Sequence, residues 1–222
     1  MSPRVLVLAG PSGAGKSRLA RRLHALHGWP VVQLDDFYRE LGDPGLPMSP
    51  LGLPDWDDAR SWNLPEALDA LEQLCATGRA EVPVYDIATS AVTGRAELEL
   101  DGHPVVVAEG IFAAESIPGL RERGLLAEAW CIRNSPWLTF GRRLARDLSE
   151  RRKPPVTLWR RGHILRRAEP GIVAAQAALG AVPMTVREAE ARAHRLLVGS
   201  GPQAPGAQAG RDEHGTTREA GG

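Results

Sequence analysis

Cysteine is scarce: the 222-residue chain has two, Cys75 and Cys131, far apart and each in an apolar context. That excludes a disulfide scaffold and fits a reducing compartment, so a cytoplasmic location is expected. Net charge is absent as well. The 27 Lys and Arg are balanced by 27 Asp and Glu, so no overall field draws the chain to nucleic acid or to an anionic membrane. No apolar run approaches the length that spans a bilayer, and Met1 is followed almost at once by a core-like segment rather than a cleavable leader. There is no internal repeat. What remains is an ordinary soluble composition, long enough for one good-sized domain with a core.

The apolar segments have an order. "RVLVLAG" (4–10) is a short continuous run, the mark of a strand buried on both faces. Residues 16–27 read as a helix, and "VVQLDD" (31–36) as a second strand ending in acids. A long Pro-, Gly-, Asp- and Trp-rich connection follows over 37–62, a length that usually carries function. Asn63 with Glu66 reads as a capping box for a helix whose stripe is Leu64, Leu68, Leu71 and Cys75, stopped by Gly78. "AEVPVYDI" and "AELEL" read as a hairpin or short edge strands. "HPVVVAEG" (103–110) and "AEAWCIRN" (127–134) are two more buried strands. Ser135-Pro136 opens a helix with Trp137, Phe140, Leu144 and Leu148 on its core face. Residues 156–168 and 185–198 read as further helices, with no clear final strand. From Gly199 the chain has nothing to bury, so 1–198 is expected to be the domain and 199–222 a disordered tail. Strands alternating with helices predict an α/β fold with a mainly parallel sheet.

Between the first strand and first helix lies Gly10-Pro11-Ser12-Gly13-Ala14-Gly15-Lys16-Ser17, which fits G-x-x-x-x-G-K-[ST] at every fixed position. Glycines let the backbone wrap tightly and aim successive N–H groups inward, and the helix adds the positive end of its dipole. Lys16 can reach the outer phosphates, and Ser17 can offer its hydroxyl to Mg²⁺. The pattern predicts nucleoside triphosphate binding. A kinase needs more: a group for the metal and a base near the acceptor hydroxyl. Asp35 and Asp36 close the second strand and Glu109 closes "VVVA", at the strand ends that face the ligand crevice in open α/β sheets. An acid in such a place also reads as a solvated turn. "GRRLARDLSERRKPP" puts Arg143 and Arg146 on one side of a helix, with Arg142 a turn before Arg146. These arginines read either as a solvated face paired with Asp147 and Glu150, or as a lid that neutralises a transferring phosphoryl group.

In order and at sensible spacing stand "GPSGAGKS", "LDDFYRE", "PDWDDARSWN", "VPVYDIATS", "VVVAEGIF" and "RRLARDLSERR". The series resembles the uridine kinase family, within the wider group that holds phosphoribulokinase and pantothenate kinase, and it covers residues 5 to 155. The resemblance implies a P-loop fold with a β-hairpin on the substrate side and an Arg-rich lid. It implies ATP and Mg²⁺ as donor and metal, with the 5′-hydroxyl of a pyrimidine nucleoside as acceptor. Asp35 then lies near the metal and acts as the base, and Glu109 holds the metal through its water shell. Tyr38 lines the substrate side, Trp56-Asp57 supplies the acid for the ribose hydroxyls, and Tyr85 sits by the nucleobase. Arg143, Arg146 and Arg151 match the lid arginines, and Lys153 stands where the family has a substrate-side arginine. The family often forms tetramers, so a homo-oligomer is an expectation here. Two positions depart from the pattern: Ile87 replaces an aromatic and Ser90 a histidine of the base-reading pocket. Three readings therefore stay open: a pyrimidine nucleoside kinase, a kinase for another hydroxyl compound, and a nucleotide-binding regulator with little turnover. With Ile87 and Ser90, phosphoryl transfer to a hydroxyl is better supported than uridine as its acceptor.

Overall fold

The computed structural model describes residues 2–50, 52–133 and 169–198. In chain order the elements are β1 (Arg4–Ala9), α1 (Lys16–His27), β2 (Val31–Gln33), α2 (Leu64–Thr77), β3 (Arg79–Asp86) and β4 (Ala91–Glu99). They continue as β5 (Val105–Glu109), α3 (Ile117–Glu122), β6 (Leu126–Ile132), a helix α4 over residues 169–178, β7 (Val182–Met184) and α5 (Val186–Val198).

The sheet is built around β1. Val5, Val7 and Ala9 enter one hydrophobic cluster, and Leu6 and Leu8 the other. A strand with both faces buried needs an apolar residue at every position, which is why its sequence runs without alternation. It pairs in parallel with β5 on one side and β6 on the other, and β2 and β7 complete a five-stranded parallel sheet in the order β2-β5-β1-β6-β7. Leu68, Leu71 and Leu74 of α2 and Ile117 and Leu120 of α3 cover one face. Leu19 and Leu23 of α1 and Ala189 and Ala193 of α5 cover the other. Burial of each large aliphatic side chain there stabilises the fold by roughly 1.5–3 kcal/mol relative to exposure. The predicted α/β architecture is therefore found, and no helix among the described residues is long and apolar enough to cross a membrane.

Several local expectations change. The second strand stops at Gln33, and Leu34–Phe37 turns into a 3₁₀ helix. Leu34 and Phe37 are both buried, and the Trp62 indole N–H donates to the Leu34 carbonyl at 2.6 Å, which fixes the turn. The capping box at Asn63 does not form. Its backbone N–H donates to the Phe37 carbonyl and its side chain donates to Glu66. A capping box forms instead at the start of α5, where Thr185 and Glu188 bond each other's backbone N–H. The hairpin exists as an antiparallel pair, with β4 beginning at Ala91 rather than near Ala96. Thr93, Gly94 and Arg95 are exposed, so this part of the strand carries no apolar alternation. A final strand exists too, the three-residue β7, whose Pro183 is tolerated because, among the described residues, β7 pairs only with β6 at the sheet's edge. The expected helix from residue 135, the one over 156–168 and the tail from 199 lie outside the described residues, whereas α4 was not anticipated.

Where β1 gives way to the glycine loop, Gly10 has φ +137°, and a Cβ there would sit 2.3 Å from the Ile132 carbonyl oxygen. That oxygen is backbone of the neighbouring strand and has no room to retreat. Gly10→Ala is expected to cost about 3 kcal/mol or more, combining left-handed strain with overpacking. Chemical denaturation measures it, and a midpoint equal to that of the unmodified protein would contradict the packing described.

Candidate active site

The loop between β1 and α1 delivers its lysine to the helix's first position. Gly13 and Gly15 take φ of 78° and 106°, conformations that favour glycine. Lys16 is buried, and its ammonium folds back over the loop, donating to the Gly10 carbonyl at 2.8 Å and the Pro11 carbonyl at 3.3 Å. Ser17, next along, is exposed, and its side chain hydrogen-bonds Glu109. Cation, hydroxyl and carboxylate are thus gathered at one helix start.

Two acids meet across adjacent strands. β2 and β5 pair so that Gln33 stands opposite Glu109. The 3₁₀ turn beyond β2 then brings Asp35 back over the end of β5. The Ile111 amide donates to Asp35 Oδ1 at 2.8 Å. Gly110 allows this approach, since a Cβ there would lie 2.8 Å from the same oxygen and 3.0 Å from the Leu34 Cβ. Of the two adjacent aspartates, Asp35 lines the cavity, whereas Asp36 accepts a hydrogen bond from the Tyr85 backbone and ties down the hairpin. Burial raises the Asp36 carboxyl above its ordinary range, the Tyr85 bond opposes that rise, and the Asp35 charge adds to it. Glu109 is 7% exposed. Burial pushes its pKa up, and Asp35 pushes the same way, against the Ser17 hydrogen bond and the charges of Lys16 and Arg21.

The far wall is aromatic. Tyr38 meets Trp56 edge-on with ring centroids 5.9 Å apart, and Tyr85 and Phe112 each at 6.0 Å. The Tyr38 hydroxyl donates to the Trp56 carbonyl at 3.4 Å and the Tyr85 hydroxyl to the Arg39 carbonyl at 3.2 Å. Burial, then the charges of Asp35 and Asp57, hold the Tyr38 phenol strongly protonated. These groups enclose one cavity of about 430 Å³. Ser12, Gly13, Lys16 and Ser17 line its loop end, Asp35 and Glu109 its floor, and Tyr38, Trp56, Asp57, Tyr85, Ile87, Ser90 and Ile111 the remainder. Gly10, Pro11, Ala14 and Gly15 form the loop behind. Ile87 is 68% exposed and Ser90 takes a positive φ of 52° in the hairpin turn. Ile111 and Phe112 were missed by sequence reasoning. Their signal was position alone, directly after a strand-end acid and glycine. Arg143, Arg146, Arg151 and Lys153 lie outside the described residues.

Among the described residues no three His, Cys, Asp or Glu side chains are grouped to hold a metal by themselves. Ser17, Asp35 and Glu109 offer hard oxygen donors, which suits Mg²⁺, an ion that takes few protein ligands and keeps waters and phosphate oxygens.

No family model matches the chain. It is similar to inorganic pyrophosphatase TTM2 of Arabidopsis thaliana, 31% identical over 107 residues, 48% of this chain and 15% of that protein. The chain thus spans only about 15% of the length of this curated relative. Among solved structures it is similar to a protein named as a fructose transport system kinase from Silicibacter sp. TM1040, with TM-score 0.56 and 19% identity over 78% of this chain and 85% of that one. It is also similar to D-glycerate 3-kinase from Cryptococcus neoformans, with TM-score 0.51 and 16% identity over 78% and 79% of the two chains. The mainly parallel α/β fold is one that these two kinases share. At these identities the likeness establishes architecture, and kinases named for different acceptors share it.

The raised Glu109 pKa has a sign that stability can read. The folded state binds this proton more tightly than the unfolded chain, so the contribution is full below the ordinary carboxyl range and is lost as pH rises through the raised value. In the nucleotide-free protein, Glu109→Gln should therefore be the more stable form at about pH 7.5, with the difference shrinking toward about pH 4. Urea denaturation at both pH values tests this. A less stable variant at the higher pH would refute the account.

Proposed function

We propose that the protein transfers the γ-phosphoryl group of ATP to a hydroxyl of a small molecule, with the 5′-hydroxyl of a pyrimidine nucleoside as the first candidate acceptor. The observation that carries this reading is convergence: Lys16, Ser17, Asp35 and Glu109 share one cavity with Tyr38, Trp56, Asp57 and Tyr85, although they come from five separate stretches of chain. Phosphoryl transfer asks the protein for position and charge rather than covalent chemistry. Residues 10–17 cradle the phosphates, and Lys16 leaves its loop carbonyls to reach the outer ones. Mg²⁺, held by Ser17, Asp35 and Glu109, would offset phosphate charge. Asp35 accepts the proton of the acceptor hydroxyl as its oxygen bonds the γ-phosphorus and the bond to the ADP oxygen breaks. Asp57 accepts hydrogen bonds from ribose hydroxyls, and the Tyr38, Trp56 and Tyr85 rings wall the heterocycle. Arg143, Arg146 and Arg151 are assigned the charge spread over the transferring group, and Lys153 the substrate side. The reading is of a single 1–198 kinase domain acting in the cytoplasm, with a homo-oligomer as its assembly.

A second acceptor class has an observation in its favour. Ile87 is largely exposed and Ser90 lies in the hairpin turn, so neither supplies a stacking ring or an imidazole to read a pyrimidine. A sugar or another hydroxyl compound would lose less by their absence.

Incubation with ATP, Mg²⁺ and a panel of uridine, cytidine, fructose, glycerate and pantothenate, followed by ADP release, ranks the acceptors. Uridine- or cytidine-dependent ADP supports the first reading. Acceptor dependence elsewhere supports the second, and tight ATP binding with no acceptor dependence favours a nucleotide-holding regulator. Asp35→Asn should lower kcat by about 10²–10⁴-fold while ATP still binds. A variant that turns over normally would remove Asp35 from the role of base. Lys16→Ala should weaken ATP binding itself, measured by calorimetry.

A further inference from the structure

Gln176 lies on α4, on the far side of the loop that follows β5, and takes no part in the cavity's lining. It is 7% exposed, and both ends of its amide are used. The Cys131 thiol of β6 donates to Gln176 Oε1 at 3.3 Å. Gln176 Nε2 donates to the Ile111 carbonyl at 3.4 Å. Ile111 in turn donates its amide to Asp35 Oδ1 at 2.8 Å. The orientation of the amide follows from chemistry: the Ile111 carbonyl can only accept, so the NH₂ end must face it, and the oxygen end is left for the thiol. Burial pushes the Cys131 thiol up, which keeps it a donor. Residue 111 is thereby gripped on both sides, its N–H spent on Asp35 and its C=O on Gln176.

We propose that Gln176 is a positioning residue for Asp35: by anchoring the Ile111 carbonyl it fixes the amide that aims the Asp35 carboxylate into the cavity. The proposal rests on the reading of Asp35 as the base only for its effect on turnover; the anchoring itself is independent of it. Among the described residues, Gln176 is the side chain of the helical layer that ties the loop at Gly110-Ile111. Gly110 lacks a Cβ to restrict rotation, so without that tie the amide donor can swing. A reacting group displaced by a fraction of an ångström loses rate without losing affinity for the nucleotide.

Gln176→Met keeps the side chain's length and removes both hydrogen bonds. Two measurements on the full chain test it. The first is the Ile111 amide resonance in ¹H–¹⁵N spectra of the nucleotide-free protein, which reads its bond to the carboxylate. The second is kcat and KM for ATP with the acceptor that the unmodified protein uses. The resonance should move upfield, and kcat should fall by roughly ten- to a hundredfold with KM for ATP unchanged, as for other outer-layer supports of a reacting group. A folded variant with the resonance in place, or with kcat unchanged, overturns the proposal, as does a loss of kcat without movement of the resonance. Should Gln176→Met not fold, Cys131→Ala removes only the donor to Oε1. It must displace the Ile111 resonance in the same direction, and an unmoved signal there overturns the proposal. If the unmodified protein turns over no acceptor, the resonance decides alone: its movement upholds the anchoring while the transferase reading falls.

Discussion

The exposed Asp35 carboxylate, in the turn just past β2, faces the buried Glu109 carboxylate at the end of β5, an arrangement that repels itself. What makes it tenable is the single N–H of Ile111 bonded to Asp35 at 2.8 Å, with Ser17 and Lys16 beside Glu109. The amide is a fixed donor that holds the Asp35 carboxylate in one orientation beside its neighbour. The rest of the site is arranged about that bond. Gly110 is small so that the approach is possible. The 3₁₀ turn at Leu34–Phe37, clamped by Trp62, points Asp35 at the amide and Asp36 at the hairpin. Loss of any one of these would leave the two acids in place along the chain but no longer across from each other.

Much of this was legible in the sequence because the relevant patterns are local. A continuous apolar run bounded by a glycine loop reads as a doubly buried strand, and β1 and β5 are such runs; β6 is buried only over its second half. The glycine loop was readable for the same reason: its motif has a fixed spacing over residues 10–17. The acids at strand ends could be located, but the choice between Asp35 and Asp36 could not be made from spacing alone. It is set by the Tyr85 backbone, which reaches Asp36 from the hairpin.

What stayed hidden is what depends on distant partners or on weak patterns. Asn63 has the residue pairing of a cap, yet the Phe37 carbonyl takes its N–H, a competition no local window reveals. The true box at Thr185 and Glu188 follows a strand of three residues with a proline in it, too short to announce itself. The outer half of β4 is exposed and polar, and so reads like a loop. Phe112 and Ile111 line or back the cavity because a chain reversal puts them there, which neither residue type signals.

The base of the hairpin packs on α2 and the core through Ala80, Val82 and Leu98, and its tip is tied to the main body by residues 36–41. Asp36 holds the Tyr85 backbone, the Arg39 carbonyl takes the Tyr85 hydroxyl, Glu40 accepts from the Val92 amide at 2.8 Å and the Leu41 amide donates to the Ser90 carbonyl at 2.8 Å. That strip begins one residue after Asp35. The seat of the hairpin and the placement of the Asp35 carboxylate are therefore written on one short piece of backbone. A transplant of the hairpin from another protein would arrive with hooks cut for a different strip, so a grafted hairpin keeps these ties only if residues 36–41 travel with it.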